Sequence, residues 1–408
     1  MDKLECDYLI IGAGIIGLNI ARELRFYYPK SKIIIIEKEN DVARHSSGRN
    51  SGVIHAGFYY TLNSLKAKFT KEGNRLLTEY CQNKNLKINQ CEKIVVAKNE
   101  EELISLNELY SRGIKNGVDI KLISQEELEK KIKNVKTYKK ALYSPTTSTV
   151  DPIEVCNSLK NDLIEEKVDF LFNECFIKKL KNNEIQTTNK IIKAKKIINS
   201  AGLYADKIAK QFGFSKNYTI LPFKGIYLKY TNNDKPIDIN IYPVPNLKNP
   251  FLGVHYTITV DNTIKIGPTA IPAFWRENYS GFDNFNLNEF IEILKYEIKL
   301  FFTNAFNFRT LAFDEIKKYN KNYFINLALQ MVKSISKDGF NEWSKPGIRA
   351  QLLDTRTLEL VQDFVVEGDN KSIHVLNAVS PAFTCSMPFS KWIVENYIIT
   401  KGESSENH

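Results

Sequence analysis

The sequence predicts an α/β protein. A Rossmann-like parallel sheet, discontinuous in sequence, is expected to alternate with an α+β domain of antiparallel sheet plus helices. Three observations predict it. First, the turn Gly12-Ala13-Gly14-Ile15-Ile16-Gly17 follows the apolar run Asp7 to Ile11 and opens a helix-like segment, Ile15 to Tyr28. Second, another apolar run, Ile33 to Ile36, ends on Glu37. Third, strand-like pieces running into small-residue turns recur at Lys196 to Gly202 and at Ile373 to Asn377. A chain of 408 residues can hold two domains with sizeable cores.

Each element has its own warrant. Gly12 allows a tight turn. Gly14 lets backbone N–H groups, beginning with Ile15 and Ile16, approach a pyrophosphate at a helix N-terminus, where partial positive charge favours it. Gly17 permits close helix–strand packing, and Glu37, twenty residues beyond it, is placed for adenosine ribose hydroxyls, with Lys38 beside it. The polar, glycine-bearing stretch Ala43 to Thr61 looks too irregular for helix or strand, and loops of that length are usually functional. Ser64 to Gln82 has helical spacing, Ile94 to Ala97 is a short strand, and Glu100 to Asn116 and Ser124 to Lys133 are helices. Ser124 and Glu127 form a capping box. Asp151-Pro152 starts a helix that runs to about Glu166. After the turn at Ala201 and Gly202 a helix begins near Tyr204. Leu221 to Pro268 is β-rich, Asn286 to Phe302 and Phe313 to Ser334 are helical, and a last helix spans Phe383 to Ile399.

The nucleotide-fold pieces therefore fall at 1–83, 146–218 and 346–402, and the substrate domain at 84–145 and 219–345. This arrangement fits FAD better than NAD. FAD is long, and an extended loop and a C-terminal strand are needed to hold its ribityl and ring.

Composition excludes several classes. Hydrophobic content of 43% with 25% charge is that of a globular protein. The six cysteines contain no CxxC pair and the five histidines are dispersed, so neither a metal site nor a disulfide framework is indicated. No run of 18 apolar residues exists, and the acid-bearing N-terminus reads as a first strand rather than a signal peptide. Free thiols suit a cytoplasmic location. The formal charge of +10 is compatible with peripheral attachment to anionic lipid at the inner membrane. No Lys/Arg stripe interleaved with aromatics marks a nucleic-acid partner.

At Ser46-Ser47-Gly48-Arg49-Asn50-Ser51-Gly52-Val53-Ile54-His55-Ala56-Gly57 the chain resembles the D-amino-acid-oxidase-like superfamily of FAD oxidoreductases. Continuing through Phe58-Tyr59-Tyr60 and Ser64-Leu65-Lys66-Ala67, it resembles the L-2-hydroxyglutarate dehydrogenase/oxidase branch. Leu221 to Gly225, Pro250 to His255, Gly267 to Ala270, Gly347 to Gln351 and Asn377 to Ala382 agree. The Asn-Ser-Gly-Val-Ile-His motif is also similar to one type of glycerol-3-phosphate oxidase. The resemblance implies oxidation of L-2-hydroxyglutarate to 2-oxoglutarate by hydride transfer to non-covalent FAD. It also implies an acceptor that is oxygen, a quinone or a carrier protein. Two positions depart from the family pattern: Lys224 stands where arginine is expected, and Ala382 replaces a glycine.

The chemistry needs a base for the hydroxyl proton and cations for two carboxylates. His55 is the expected base, since imidazole titrates near operating pH, and His255 is its competitor. Arg349 leads the carboxylate candidates for its planar fork, followed by Lys224 and Arg276, with Tyr60 closing the pocket. By resemblance, Arg44 and Ser46 or Ser47 contact the pyrophosphate and Asn50 and Ser51 line the ring. Ser380, Pro381 and Ala382 precede a helix whose dipole favours negative charge on the flavin. The alternatives are another small anionic substrate (glycerol 3-phosphate, another 2-hydroxy acid or an amino acid), a tRNA-modifying flavoprotein, or a non-catalytic FAD-binding module.

Overall fold

The structure is a computed structural model that describes residues 2–245 and 251–400. Pro250 and residues 401–402, which figured in the expectations above, lie outside the described residues. The chain divides into two compact units. The first takes the described residues of Met1–Asn50, Pro152–Pro222 and Arg349–His408, and the second those of Ser51–Asp151 and Phe223–Ile348.

In the first unit, five strands run parallel in the order Ser372–Asn377, Lys190–Asn199, Asp2–Ile11, Ile33–Ile36, Asp169–Leu171. Strand Ile33–Ile36 is buried at every position, as parallel strands covered on both faces must be. Helix Ile15–Tyr27 packs against helices Pro152–Glu165 and Ala382–Val394. Its Asn19 Nδ2 donates to Ser386 Oγ at 3.2 Å. Antiparallel additions, Phe176–Lys179, Glu184–Thr187 and Val365–Gly368, extend the sheet. None of these three was expected from the sequence. Phe176–Lys179 is exposed over its last three residues and Val365–Gly368 is half-buried throughout, so neither gives a buried run to read.

The second unit centres on an eight-stranded sheet. It is antiparallel except where Lys93–Val96 lies parallel to Asn240–Pro243. One face carries Ile94, Val96, Ile241 and Tyr256 against Leu128 and the helix Lys321–Leu329. The other carries Val95 and Tyr242 against Phe58, Tyr59 and the helix Glu100–Lys115.

Several expectations are corrected. Residues 51–83 pack in the second unit, not the first. The cause is a short strand inside the supposedly irregular loop: Val53–Ile54 pairs with Ser148–Val150, which also pairs with Ile88–Asn89. The other division points likewise shift by a few residues, to 151/152, 222/223 and 348/349. The single helix expected over Phe313 to Ser334 is two, Phe308–Lys317 and Lys321–Leu329. Asn320 breaks it by capping the second helix, its side chain accepting from Tyr323 N at 3.1 Å. Ser124 and Glu127 form both bonds of the expected capping box.

Candidate active site

The glycine turn of the first unit is shaped by contact with its surroundings. Gly12 has φ of +103°, and a Cβ there would meet Ser200 O at 2.8 Å. A Cβ on Gly17 would stand 2.1 Å from Gly12 O, so only hydrogen fits between helix and turn. A Cβ on Gly14 would meet Ser47 Oγ at 2.9 Å. Ser47 Oγ instead accepts from Ile15 N at 2.9 Å, tying the Arg44–Asn50 loop to the helix start. Asn50 Nδ2 donates to Ser47 O at 2.8 Å, and Arg49 Nε to Arg44 O at 2.8 Å, fixing that loop. Arg44 is half exposed and lies 3.9 Å from Asp41.

Glu37 closes the turn from the next strand. Its carboxylate accepts from Ala13 N at 2.8 Å and from Glu39 N at 3.0 Å. Lys38 pairs with Glu39, as does His45 through Nε2 at 2.9 Å. At the neighbouring strand end, Asn199 accepts from Ala201 N at 3.2 Å and donates to Ala205 O at 2.8 Å, which holds the turn containing Gly202. Ser380 is exposed and Pro381 and Ala382 are buried at the start of helix Ala382–Val394. Arg349, half-buried, lies in strand Gly347–Asp354, whose part in this unit begins with it. A backbone cradle too tight for side chains at Gly12, Gly14 and Gly17, a helix start whose N-cap residue is Gly14 and an acid at the next strand end fit the dinucleotide part of FAD.

The second unit holds a buried polar centre. His55 follows strand Val53–Ile54 and is 7% exposed. Asn74 Nδ2, on helix Leu65–Asn83, lies 3.4 Å from Ile54 O, 3.2 Å from His55 O and 3.0 Å from Thr146 O, which pins the histidine's backbone. Gly57 then turns the chain with φ of +110°. His55 Nδ1 faces Lys93 Nζ at 3.5 Å. Lys93 was not singled out from the sequence. It is fully buried, with Nζ 4.2 Å from the Tyr242 ring centre and 5.4 and 5.7 Å from those of Tyr59 and Phe58. No carboxylate pairs with it among the described residues. Burial pushes its ammonium down to about 7.

Register explains this company. Lys93 pairs with Asn240 and Val95 with Tyr242, so Lys93 and Tyr242 share one face. Ile241 pairs with Tyr256, which sets Tyr242 opposite His255, and their rings stack at 3.6 Å. His255 Nδ1 lies 2.9 Å from Gly253 O; a carbonyl only accepts, so Nδ1 carries the hydrogen. Burial first, and the Lys93 charge second, push His255 down to about 3.

The other nominated cations differ from each other. Lys224 is buried, with Asn278 Oδ1 at 3.5 Å and no carboxylate partner among the described residues, and burial pushes its ammonium down. Arg276 is fully buried but engaged by the helix Leu287–Thr303: its N donates to Glu289 at 3.1 Å and its guanidinium pairs with Glu292 at 3.5 Å. That engagement gives it a structural use. Tyr60 is half-buried, with Asn116 donating to its carbonyl, and Ser51 Oγ lies 3.4 Å from Val53 N.

Residues 7–396 match the family described as FAD dependent oxidoreductase. The chain is 35% identical to the mitochondrial L-2-hydroxyglutarate dehydrogenase of Homo sapiens, over 95% of this chain and 88% of that one. It is 34% identical to that of Dictyostelium discoideum, over 95% and 92%. Against the Escherichia coli L-2-hydroxyglutarate dehydrogenase it is 32% identical, again over 95% and 92%. Among solved structures, the FAD-bound L-alpha-glycerophosphate oxidase of Mycoplasma pneumoniae superposes with a TM-score of 0.75. It is 23% identical, over 96% of this chain and 95% of that one.

Proposed function

The chain belongs to the FAD dependent oxidoreductase family, and on that premise we propose that it oxidises L-2-hydroxyglutarate to 2-oxoglutarate. The observation that carries this reading is the likeness, over 95% of the chain, to proteins named L-2-hydroxyglutarate dehydrogenase. FAD supplies the acceptor for the hydride that leaves the substrate's hydroxyl-bearing carbon.

The chain's own residues do the rest. Gly12, Gly14, Gly17 and the Ile15 helix start hold the pyrophosphate, and Glu37 the ribose, with Ser47 fixing the loop beside them. His55 takes the hydroxyl proton at Nε2. His255 is unsuited to that role, since a base held down to about 3 has little pull on an alcohol proton at neutral pH. It serves as a neutral hydrogen-bonding group. Within the second unit Lys224, a buried cation with no carboxylate partner among the described residues, receives a substrate carboxylate.

The acceptor beyond the flavin is a lipid-borne quinone, reached at a membrane surface. Leu287, Ile291, Ile298 and Phe302 lie exposed along helix Leu287–Thr303 at helical spacing, with Phe282 exposed nearby in sequence. No helix among the described residues is long and apolar enough to cross a membrane. Flotation with anionic vesicles tests this contact, and equal recovery without vesicles contradicts it.

The substrate reading is tested by mixing the FAD-loaded protein anaerobically with the L and D enantiomers, and with glycerol 3-phosphate, while following flavin absorbance. Bleaching by the L enantiomer alone is expected. Bleaching by glycerol 3-phosphate and not by L-2-hydroxyglutarate overturns it.

A further inference from the structure

The second unit buries an amine that the reaction as described does not use. Lys93 Nζ lies in a box of Phe58, Tyr59 and Tyr242 rings, and it reaches Nδ1 of His55 at 3.5 Å, the outer edge of hydrogen-bond reach. An imidazole takes a proton at Nε2 only if its other hydrogen sits on Nδ1. An ammonium facing Nδ1 donates there and so selects the opposite tautomer, with Nε2 already protonated. A neutral amine facing Nδ1 can accept from Nδ1–H, which puts the imidazole lone pair on Nε2.

We propose that Lys93, as a neutral amine, accepts from Nδ1–H of His55 and so holds the imidazole in the tautomer whose Nε2 can take the substrate's hydroxyl proton. Lys93 is thus a positioning residue, and its protonation switches the enzyme off. The proposal rests on the reading of His55 as base. The groups that face Lys93 from each packed element carry no charge. From strand Asn240–Pro243 comes the Tyr242 ring, and from His255–Ile258 comes His255, which burial keeps neutral. Cys91, two residues back, has its thiol pushed up by burial and is neutral as well. Across the antiparallel pair, Lys93 meets Ser144. No anion among the described residues holds Lys93 charged, and desolvation brings its titration to about 7, inside the working range.

The test uses the FAD-loaded protein. The rate of anaerobic flavin reduction is followed against pH in wild type, Lys93→Met and Lys93→Arg. In wild type the rate should rise with pH through a limb near 7. Lys93→Met should lower the plateau by about 10- to 100-fold and remove that limb. Lys93→Arg, which stays charged, should be slow at every pH. Independently of activity, nitrogen NMR of labelled histidine should find His55 in the Nδ1–H tautomer in wild type above the limb, and in the Nε2–H tautomer in Lys93→Arg. A wild-type Nε2–H tautomer at high pH overturns the proposal even if neither variant folds. So does an unchanged limb in Lys93→Met. If His55→Ala loses reduction while Lys93→Met keeps its rate and limb, only the role of Lys93 fails. If His55→Ala keeps its rate, the base reading fails first.

Discussion

The glycine turn of the first unit and the histidine–lysine centre of the second meet opposite physical demands. The turn offers backbone N–H groups to an anion and does so by leaving side chains out. Three local bonds fix its shape, Ile15 N to Ser47, Ala13 N to Glu37 and Ala201 N to Asn199. The centre does the reverse. It keeps an amine and two imidazoles away from water and, among the described residues, leaves the amine without a counter-charge. Binding a permanently charged cofactor calls for a preformed cradle. Moving a proton calls for groups whose charge is balanced on an edge. The difference predicts that damage to the first unit abolishes cofactor loading, whereas damage to the second changes pH dependence and rate in a protein that stays yellow.

The largest break should come from Gly17→Val. With Gly12 O already 2.1 Å from where a Cβ would stand, helix and turn must separate, costing about 3 kcal/mol or more and releasing FAD. A yellow, normally melting Gly17→Val protein would contradict the cradle. Next is acid sensitivity. His255 binds its proton near 6.5 when unfolded and near 3 when folded. Between those values the unfolded state holds more protons. Stability is therefore full above about 6.5 and falls as pH drops toward 3, by an amount on the order of a few kcal/mol. His255→Leu should flatten that loss in urea titrations at pH 4 and pH 7, and an equal loss in both proteins would contradict it.

The contrast also decides what the sequence makes legible. Gly12 to Gly17, the acid at Glu37 and the Ser124–Glu127 box are local patterns, in which cause and effect lie a few residues apart. Lys93 is not. In Cys-Glu-Lys-Ile-Val-Val a lysine reads as a solvated strand end. Its burial depends on pairing with Asn240–Pro243, contributed by a distant stretch of chain. The one local signal was its place two residues before Val95, on the same face of an otherwise apolar strand. His55 was legible as a residue, but its unit was not. Two residues of strand, Val53–Ile54, are too short for an alternation to register, yet they carry 51–83 into the second unit.

Smaller effects sharpen the picture. Lys224→Ala should raise KM for the L enantiomer about 10- to 100-fold, the worth of a charge-assisted hydrogen bond, with FAD retained. An unchanged KM would move the carboxylate contact elsewhere. Ser124→Ala, at a cap with no link to either site, should cost about 1 kcal/mol in thermal unfolding and leave kcat unaltered. A kcat change there would mean that stability and chemistry are not separable as claimed.

The most direct test of the account is His55→Ala, with flavin content and anaerobic flavin reduction by L-2-hydroxyglutarate measured on the same sample. Full FAD occupancy with reduction slowed by about 10²- to 10⁴-fold is the predicted result. Reduction at the wild-type rate would contradict the assignment of proton transfer to the second unit's histidine.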